Sequence, residues 1–312
     1  MSLDLVFNEL SMLPMAPDQE RARQRAHTFV QTVRYARQKG MGELRTQEAF
    51  RDSMLAAGYS WWRWTQDPEV PREARLYLKS LAVRAPYLDG LEALQDQAAR
   101  SDFLFAGRKA EGLGVAFMNK GLAVSLFFDG MWDKPSLDLT IQELQEDGQI
   151  LEYKDSVYHA SRPDHVDRHE AWIQEFLEAS VVDGAALWAQ RGTCFPSLVF
   201  CEAVQEQMRK LPREKVPSFF RGLRCLEKYC QEWQSGGFNQ SALGCQSSPE
   251  GQTALDQYAQ ERTFTLPNGE RKIFNYHVKL GNPWRILYDP DFGPGKICVG
   301  FVGFHLRTRH DH

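Results

Sequence analysis

The chain has 312 residues, of which 43% are apolar and 25% charged, and a formal net charge of −4. That length and balance suit two domains or one large one with a real core, and they exclude a disordered chain. The small negative charge excludes a globally basic nucleic-acid binder but leaves room for a local basic patch.

The opening stretch MSLDLVFNELSMLPMAPDQ lacks a basic n-region and an uninterrupted apolar run, so no secretory signal is expected. No window approaches the roughly 18 apolar residues of a membrane span. Both features point to the cytoplasm and away from membrane partners. From Asp18 to about Asp102 the pattern is helical. Ala22, Ala26, Phe29, Val30, Val33 and Ala36 form one buried stripe at helical spacing, closed by Gly40 and Gly42. Shorter helices are expected over Thr46–Ala57, Pro71–Val83 and Leu91–Ala99, with Gly58 and Pro86 as breaks.

Between Phe103 and Asp133 the chain turns rich in Gly, Val, Phe and Leu. Asn119-Lys120-Gly121 supplies a turn, which predicts paired buried strands over Val115–Met118 and Leu122–Phe127. A further strand is expected near Ile150–His159. Helices resume at about Asp164, with Ser197–Leu211 and Val216–Trp233 as the clearest and a short one opening at Ser248-Pro249-Glu250. After Glu261 the period becomes two. Thr263–Leu266, Pro-Asn-Gly and Lys272–Lys279 read as a hairpin, followed by strands at Trp284–Tyr288, Ile297–Phe301 and Phe304–Arg307. The fold class is therefore α+β, with a helical region over 1–102, a small β-rich region over 103–160, a helical connector over 161–260 and a C-terminal antiparallel β unit over 261–312.

The six cysteines (Cys194, Cys201, Cys225, Cys230, Cys245, Cys298) form no CxxC pair and read as reduced core thiols. His159, His165 and His169 carry metal-like spacing, but the order is not HExxH and the neighbouring charges suit an ordinary helix start. No metal or other cofactor is expected. A Walker A loop, a GxGxxG turn, a GxSxG elbow and a zinc finger are all missing, which argues against ATP hydrolysis, dinucleotide chemistry and serine hydrolysis.

Two basic regions remain. Across Arg21–Arg51 eight Lys/Arg face two acids, and Trp61, Trp62 and Trp64 follow closely. Arg34, Arg37, Arg63 and Trp64 are the candidate nucleic-acid contacts there, since cations hold phosphates and rings stack on bases. The bland account is a solvated basic helix face over tryptophans in the core. Over Arg262–His312 eight Lys/Arg face four acids. Strand alternation puts Phe274, Tyr276, Val278 and Leu280 on one face, and His277 and Lys279 on the other. The same rule brings Arg285, His305 and Arg307 to that second face. Histidines move protons near neutral pH and arginines stabilise phosphorane charge, so such a face suits an RNA phosphodiester. A solvated outer sheet face is the plainer account.

The helix-then-sheet order with these residues resembles the RelE/HigB-like fold of bacterial mRNA interferase toxins, and HVKLGNPWRILYDPDFGPGKICVGFVGFHL is similar to its central strands. The resemblance implies that Lys279, Arg285 and Arg307 hold phosphate, that His277 or His305 moves protons, and that Tyr288 stands in for a family aromatic. Here the unit is one part of a longer chain. The whole chain is also similar to uncharacterised bacterial proteins of phage-defence islands. The expectation is an RNA-acting or RNA-binding component of a bacterial defence or toxin–antitoxin-like system, with metal-independent RNA cleavage as its chemistry and a protein partner beside RNA. The alternatives are a non-catalytic subunit of a multiprotein defence complex, or a DNA-binding accessory protein that uses the N-terminal basic helix.

Overall fold

A computed structural model describes residues 3–81, 86–128, 130–281 and 283–307. The end of the helix expected over Pro71–Val83, and residues 308–312 of the C-terminal unit, lie outside the described residues. The chain divides into two compact units, Met1–Glu175 and Phe176–His312, and it is α+β.

The first unit runs β1 (Leu5–Phe7), α1 (Gln19–Gln38), β2 (Leu44–Arg45), a hairpin of β3 (Met54–Ala56) and β4 (Tyr59–Ser60), α2 (Trp61–Gln66), α3 (Arg72–Leu81) and α4 (Glu92–Arg100). It continues through β5 (Ser101–Phe105), β6 (Arg108–Lys109), α5 (Glu111–Met118), β7 (Leu122–Val124), β8 (Ser136–Leu144), β9 (Ile150–Ala160) and α6 (Pro163–Asp167). Asp18 caps α1 by accepting the Arg21 amide at 2.7 Å, and the six apolar positions read from the sequence are all buried. One seven-stranded sheet has the order β2-β1-β7-β9-β8-β5-β6. Its first four strands are parallel, and β8 and β5 pair antiparallel beyond them.

This sheet corrects the expected organisation. Residues 1–102 are not a helical region of their own, because β1, β2 and β5 belong to the sheet that 103–160 completes. Thr46–Ala57 forms no long helix. Phe50 instead turns inward, where its ring stacks 4.8 Å from Trp61, and β3 follows. Val115–Met118 is not a strand but the end of α5. Its first amides, Glu111 and Gly112, donate to the Glu9 carboxylate at 2.8 and 2.9 Å, which starts a helix in an apolar run that periodicity cannot classify.

The second unit holds α8 (Gly184–Ala189), which follows α7 (Glu170–Ser180), then α9 (Arg191–Cys194), β10 (Leu198–Phe200), α10 (Ala203–Arg209), α11 (Val216–Glu232), β11 (Ser247–Pro249) and α12 (Gln252–Tyr258). Next come β12 (Thr263–Thr265), β13 (Arg271–Ile273), β14 (Tyr276–Lys279), β15 (Trp284–Asp289) and β16 (Ile297–Phe304). Five strands form a sheet in the order β10-β16-β15-β14-β11, and β12 pairs with β13 separately. Both edges come from outside 261–312, so the helical connector and the C-terminal β unit are one body. The helix expected over Ser197–Leu211 is β10 followed by α10, and the helix start expected at Ser248 is β11. The β10–β16 pair is parallel and the other pairs are antiparallel.

The apolar stripe of α11 packs on one face of this sheet. At Gly222 an added Cβ would lie 2.7 Å from Leu280 and 2.9 Å from Ile286, so only glycine permits this approach. The cysteine reading also needs correction. Cys225 on α11 and Cys245 are disulfide-bonded with a Cα separation of 6.3 Å, while Cys194, Cys201, Cys230 and Cys298 are buried free thiols.

Candidate functional site

In the second unit β14 lies between β11 and β15. His277 stands opposite Ser248 on one side and Leu287 on the other, and Lys279 stands opposite Arg285. Directly opposed residues share a face, so His277, Lys279 and Arg285 do come together as alternation predicts. The face is not an open one throughout. Phe274, expected beside Tyr276, packs 5.2 Å from Phe264, and Phe264 lies over Phe301 in the row of His277 and Leu287. The β12–β13 hairpin thereby covers that row and leaves Lys279 exposed and Arg285 half-buried.

Under this cover His277 is 7% exposed, with a polar group close to each ring nitrogen. Its Nε2 is 3.0 Å from the Ser248 hydroxyl. Its Nδ1 is 2.6 Å from Glu250 Oε1, an ion-pair distance at an angle too oblique for a well-formed N–H···O bond. The second Glu250 oxygen accepts from Arg262 Nε at 2.9 Å. Burial pushes the Glu250 carboxyl up, but His277 and Arg262 outweigh it and hold the group at about 2.

Arg262 is 1% exposed, and its Nη2 donates to the Arg307 carbonyl at 3.0 Å. Its Nη1 is buried with no hydrogen-bond partner in the protein, and so is the Nε of Arg285. Arg285 Nη1 donates to the Trp284 carbonyl at 2.8 Å. Burial lowers the pKa of Arg285 and Glu250 raises it, which puts both guanidinium groups in the field of one carboxylate. Two buried cationic donors aimed at no acceptor are costly unless an anion completes them.

The remaining expected residues sit elsewhere. Tyr288 is on the opposite face, fully buried, with its ring 5.7 Å from Tyr276 and its hydroxyl 2.7 Å from Ser247, and burial pushes its phenol up. It does not reach the His277 face. His305 follows the end of β16, where its amide donates to the Pro283 carbonyl at 2.7 Å. The Arg307 side chain is ion-paired with Glu261 rather than turned to His277.

The N-terminal contacts do not assemble. Trp64 is fully buried against Trp61, so its ring offers no face to a base. Arg34 pairs with Glu73 at 2.6 Å, and Arg37 and Arg63 are exposed on separate helices. Acids from other elements also answer Arg23 and Lys39, which offsets the local excess of charge. The three histidines are divided as well. His165 lies on α6 and His169 lies between α6 and α7, and each is engaged by Asp133 or by the His159 carbonyl. Among the described residues no three His, Cys, Asp or Glu side chains converge as metal ligands. No described helix is long and apolar enough to cross a membrane.

Glu250, Arg262 and Ser248 are the site residues that sequence reasoning missed. Ser248 lies in β11 and Glu250 just past it, a segment too short for their i, i+2 spacing to read as a strand in the sequence. Comparisons with protein-family models, with curated proteins and with solved structures return no match to this chain.

Proposed function

We propose that the second unit acts on RNA by binding a phosphodiester at the His277 face and cleaving it without a metal ion. The carrying observation is a pair of buried donors without a hydrogen-bond partner, Arg285 Nε on the face that holds His277 and Nη1 of Arg262, the arginine that Glu250 joins to His277. They supply charge for non-bridging phosphate oxygens, with Lys279 at the exposed rim. In this reading His277 Nε2 takes the proton of a 2′-hydroxyl, in the place where the Ser248 hydroxyl now stands. The O2′–P bond forms, the P–O5′ bond breaks, and the 5′-oxygen leaves with a proton from Lys279. Glu250 and Arg262 act as positioning residues that hold the imidazole. The likeness of these strands to RelE/HigB-like toxins belongs to the same reading, as does a place in a cytoplasmic bacterial defence system with a protein partner.

The test is cleavage of labelled single-stranded RNA by the full chain. Cleavage should survive EDTA, yield a 2′,3′-cyclic end, and spare a 2′-deoxy substrate. His277→Gln should cost about 10²–10⁴-fold in rate with an unchanged circular dichroism spectrum, and Arg285→Ala should weaken salt-dependent retention of RNA. If the wild-type chain neither cuts nor retains RNA at low salt, the proposal fails.

A further inference from the structure

The parallel half of the first unit contains a second place where ligand chemistry is expected. From β1 the chain passes through α1 to β2 on one side, while β7 pairs with β1 on the other. The segments leaving the carboxyl ends of β1 and β7 therefore part from each other. In open α/β sheets such a switch point forms the crevice in which ligands bind.

A locked polar network lies where these segments leave the sheet. Asn8 follows β1, Ser125 follows β7, and His159 is near the end of β9; all three are fully buried. His159 Nδ1 is 2.6 Å from the Lys134 carbonyl, which accepts only, so Nδ1 carries the proton. Nε2 therefore accepts from the Ser125 hydroxyl at 2.7 Å. The Ser125 oxygen in turn accepts from Asn8 Nδ2 at 2.9 Å. Ser11 donates to the Asn8 carbonyl at 2.6 Å and accepts from the Leu126 amide at 3.0 Å. Burial keeps His159 neutral by pulling its pKa down to about 3. The starts of both departing segments are thus pinned to each other, which fixes the chain just before Phe127 and Phe128.

Just beyond Ser125 and Leu126, Phe127 and Phe128 form one wall of a cavity of about 390 Å³, whose other wall is Pro17 with Arg21, Gln24, Arg25 and Thr28 of α1. The polar residues lie at i, i+3, i+4 and i+7, one face of the helix. The Arg25 guanidinium is 4.1 Å from the Phe128 ring centre, and Arg162, from the end of β9, is 5.5 Å from that of Phe127. Arg25 Nη1 donates to the Pro14 carbonyl at 3.0 Å and Arg21 Nη1 to Gln24 Oε1 at 3.1 Å, which orients both guanidinium groups. Arginines answer phosphate oxygens, phenylalanine rings accept a stacked base, and Thr28 offers a hydrogen bond to a ribose hydroxyl. The volume is within the range of small-ligand sites.

We propose that this crevice binds a nucleoside monophosphate or a larger nucleotide, with the phosphate on Arg21 and Arg25 and the base against Phe127 and Phe128. With no glycine-rich phosphate loop in the sequence, side chains rather than backbone amides hold the phosphate. The site is independent of the RNA reading of the other unit.

Isothermal titration of the full chain with AMP, GMP, ATP, adenosine and inorganic pyrophosphate tests it. At least one nucleotide should bind saturably with one site, and adenosine and pyrophosphate should each bind about tenfold or more weaker. Arg21→Glu, an exposed change that should leave thermal unfolding unaltered, should weaken the nucleotide about tenfold or more, and Phe128→Ala should do the same. His277→Gln should leave nucleotide binding unchanged, which separates this site from RNA cleavage. The proposal is overturned by no saturable nucleotide binding at about 1 mM. It is equally overturned by affinity unaltered in both crevice variants, or by pyrophosphate binding as tightly as the nucleotides.

Discussion

Glu250 is the residue on which the candidate site rests. Its carboxylate is buried and lies between His277 and Arg262, and its folded pKa is about 2 against an ordinary 4.5. A depressed carboxylate contributes stability that is fully present above the unfolded pKa and is lost as pH falls through the folded one. The window is therefore about pH 4.5 down to about 2, and the size is of order 3 kcal/mol. Chemical denaturation of the second unit across this range should show that slope. Glu250→Gln should flatten it, and an equal slope in the variant would remove Glu250 from the role. His277 was legible from alternation alone, because a strand puts every second residue on one face. Glu250 and Arg262 were not. Their pairing joins segments 12 to 27 residues apart in sequence, and only the closing of β11 onto β14 brings them together.

Elements with a long amphipathic period were readable, and short ones were not. α1 and α11 carry stripes over several turns, so both helices form where expected, and the six positions expected in the core from α1 are all buried. β8 alternates cleanly, with Leu137, Leu139 and Ile141 buried between exposed or half-buried neighbours, and that signal was available but overlooked. β10 and β11 span three residues each, too few for a period to emerge. Tight element packing falls on particular glycines in the same way. A Cβ on Gly184 of α8 would lie 1.7 Å from the Met208 carbonyl oxygen, whereas one on Gly192 of α9 would meet nothing within 4 Å. Gly184→Ala should therefore destabilise the second unit by about 2 kcal/mol or more, since backbone must move. Gly192→Ala should be neutral or stabilising by up to about 1 kcal/mol. Urea midpoints of the two variants decide the point, and equal midpoints would contradict this packing.

At the scale of the whole chain, two cores replace the four regions that composition suggested. Composition tracks local element type, whereas a core is defined by long-range pairing. In the second unit that pairing joins β10 to β16 in register pairs 99 residues apart, and the disulfide adds a covalent link of its own between Cys225 and Cys245, 20 residues apart. The link ties α11 to the segment leading into β11, the strand that carries Ser248 opposite His277. Closing a loop of this length restricts the unfolded chain by about 3 kcal/mol. Cys225→Ser with Cys245→Ser, or reductant on the wild type, should lower the unfolding transition of the second unit by about that amount and leave that of the first unit in place. Amide exchange at Ser247, Ser248 and Glu250 should quicken by more than exchange in α1. If both transitions fall together, the two units unfold as one cooperative body, and the division into separate cores is wrong in energetic terms.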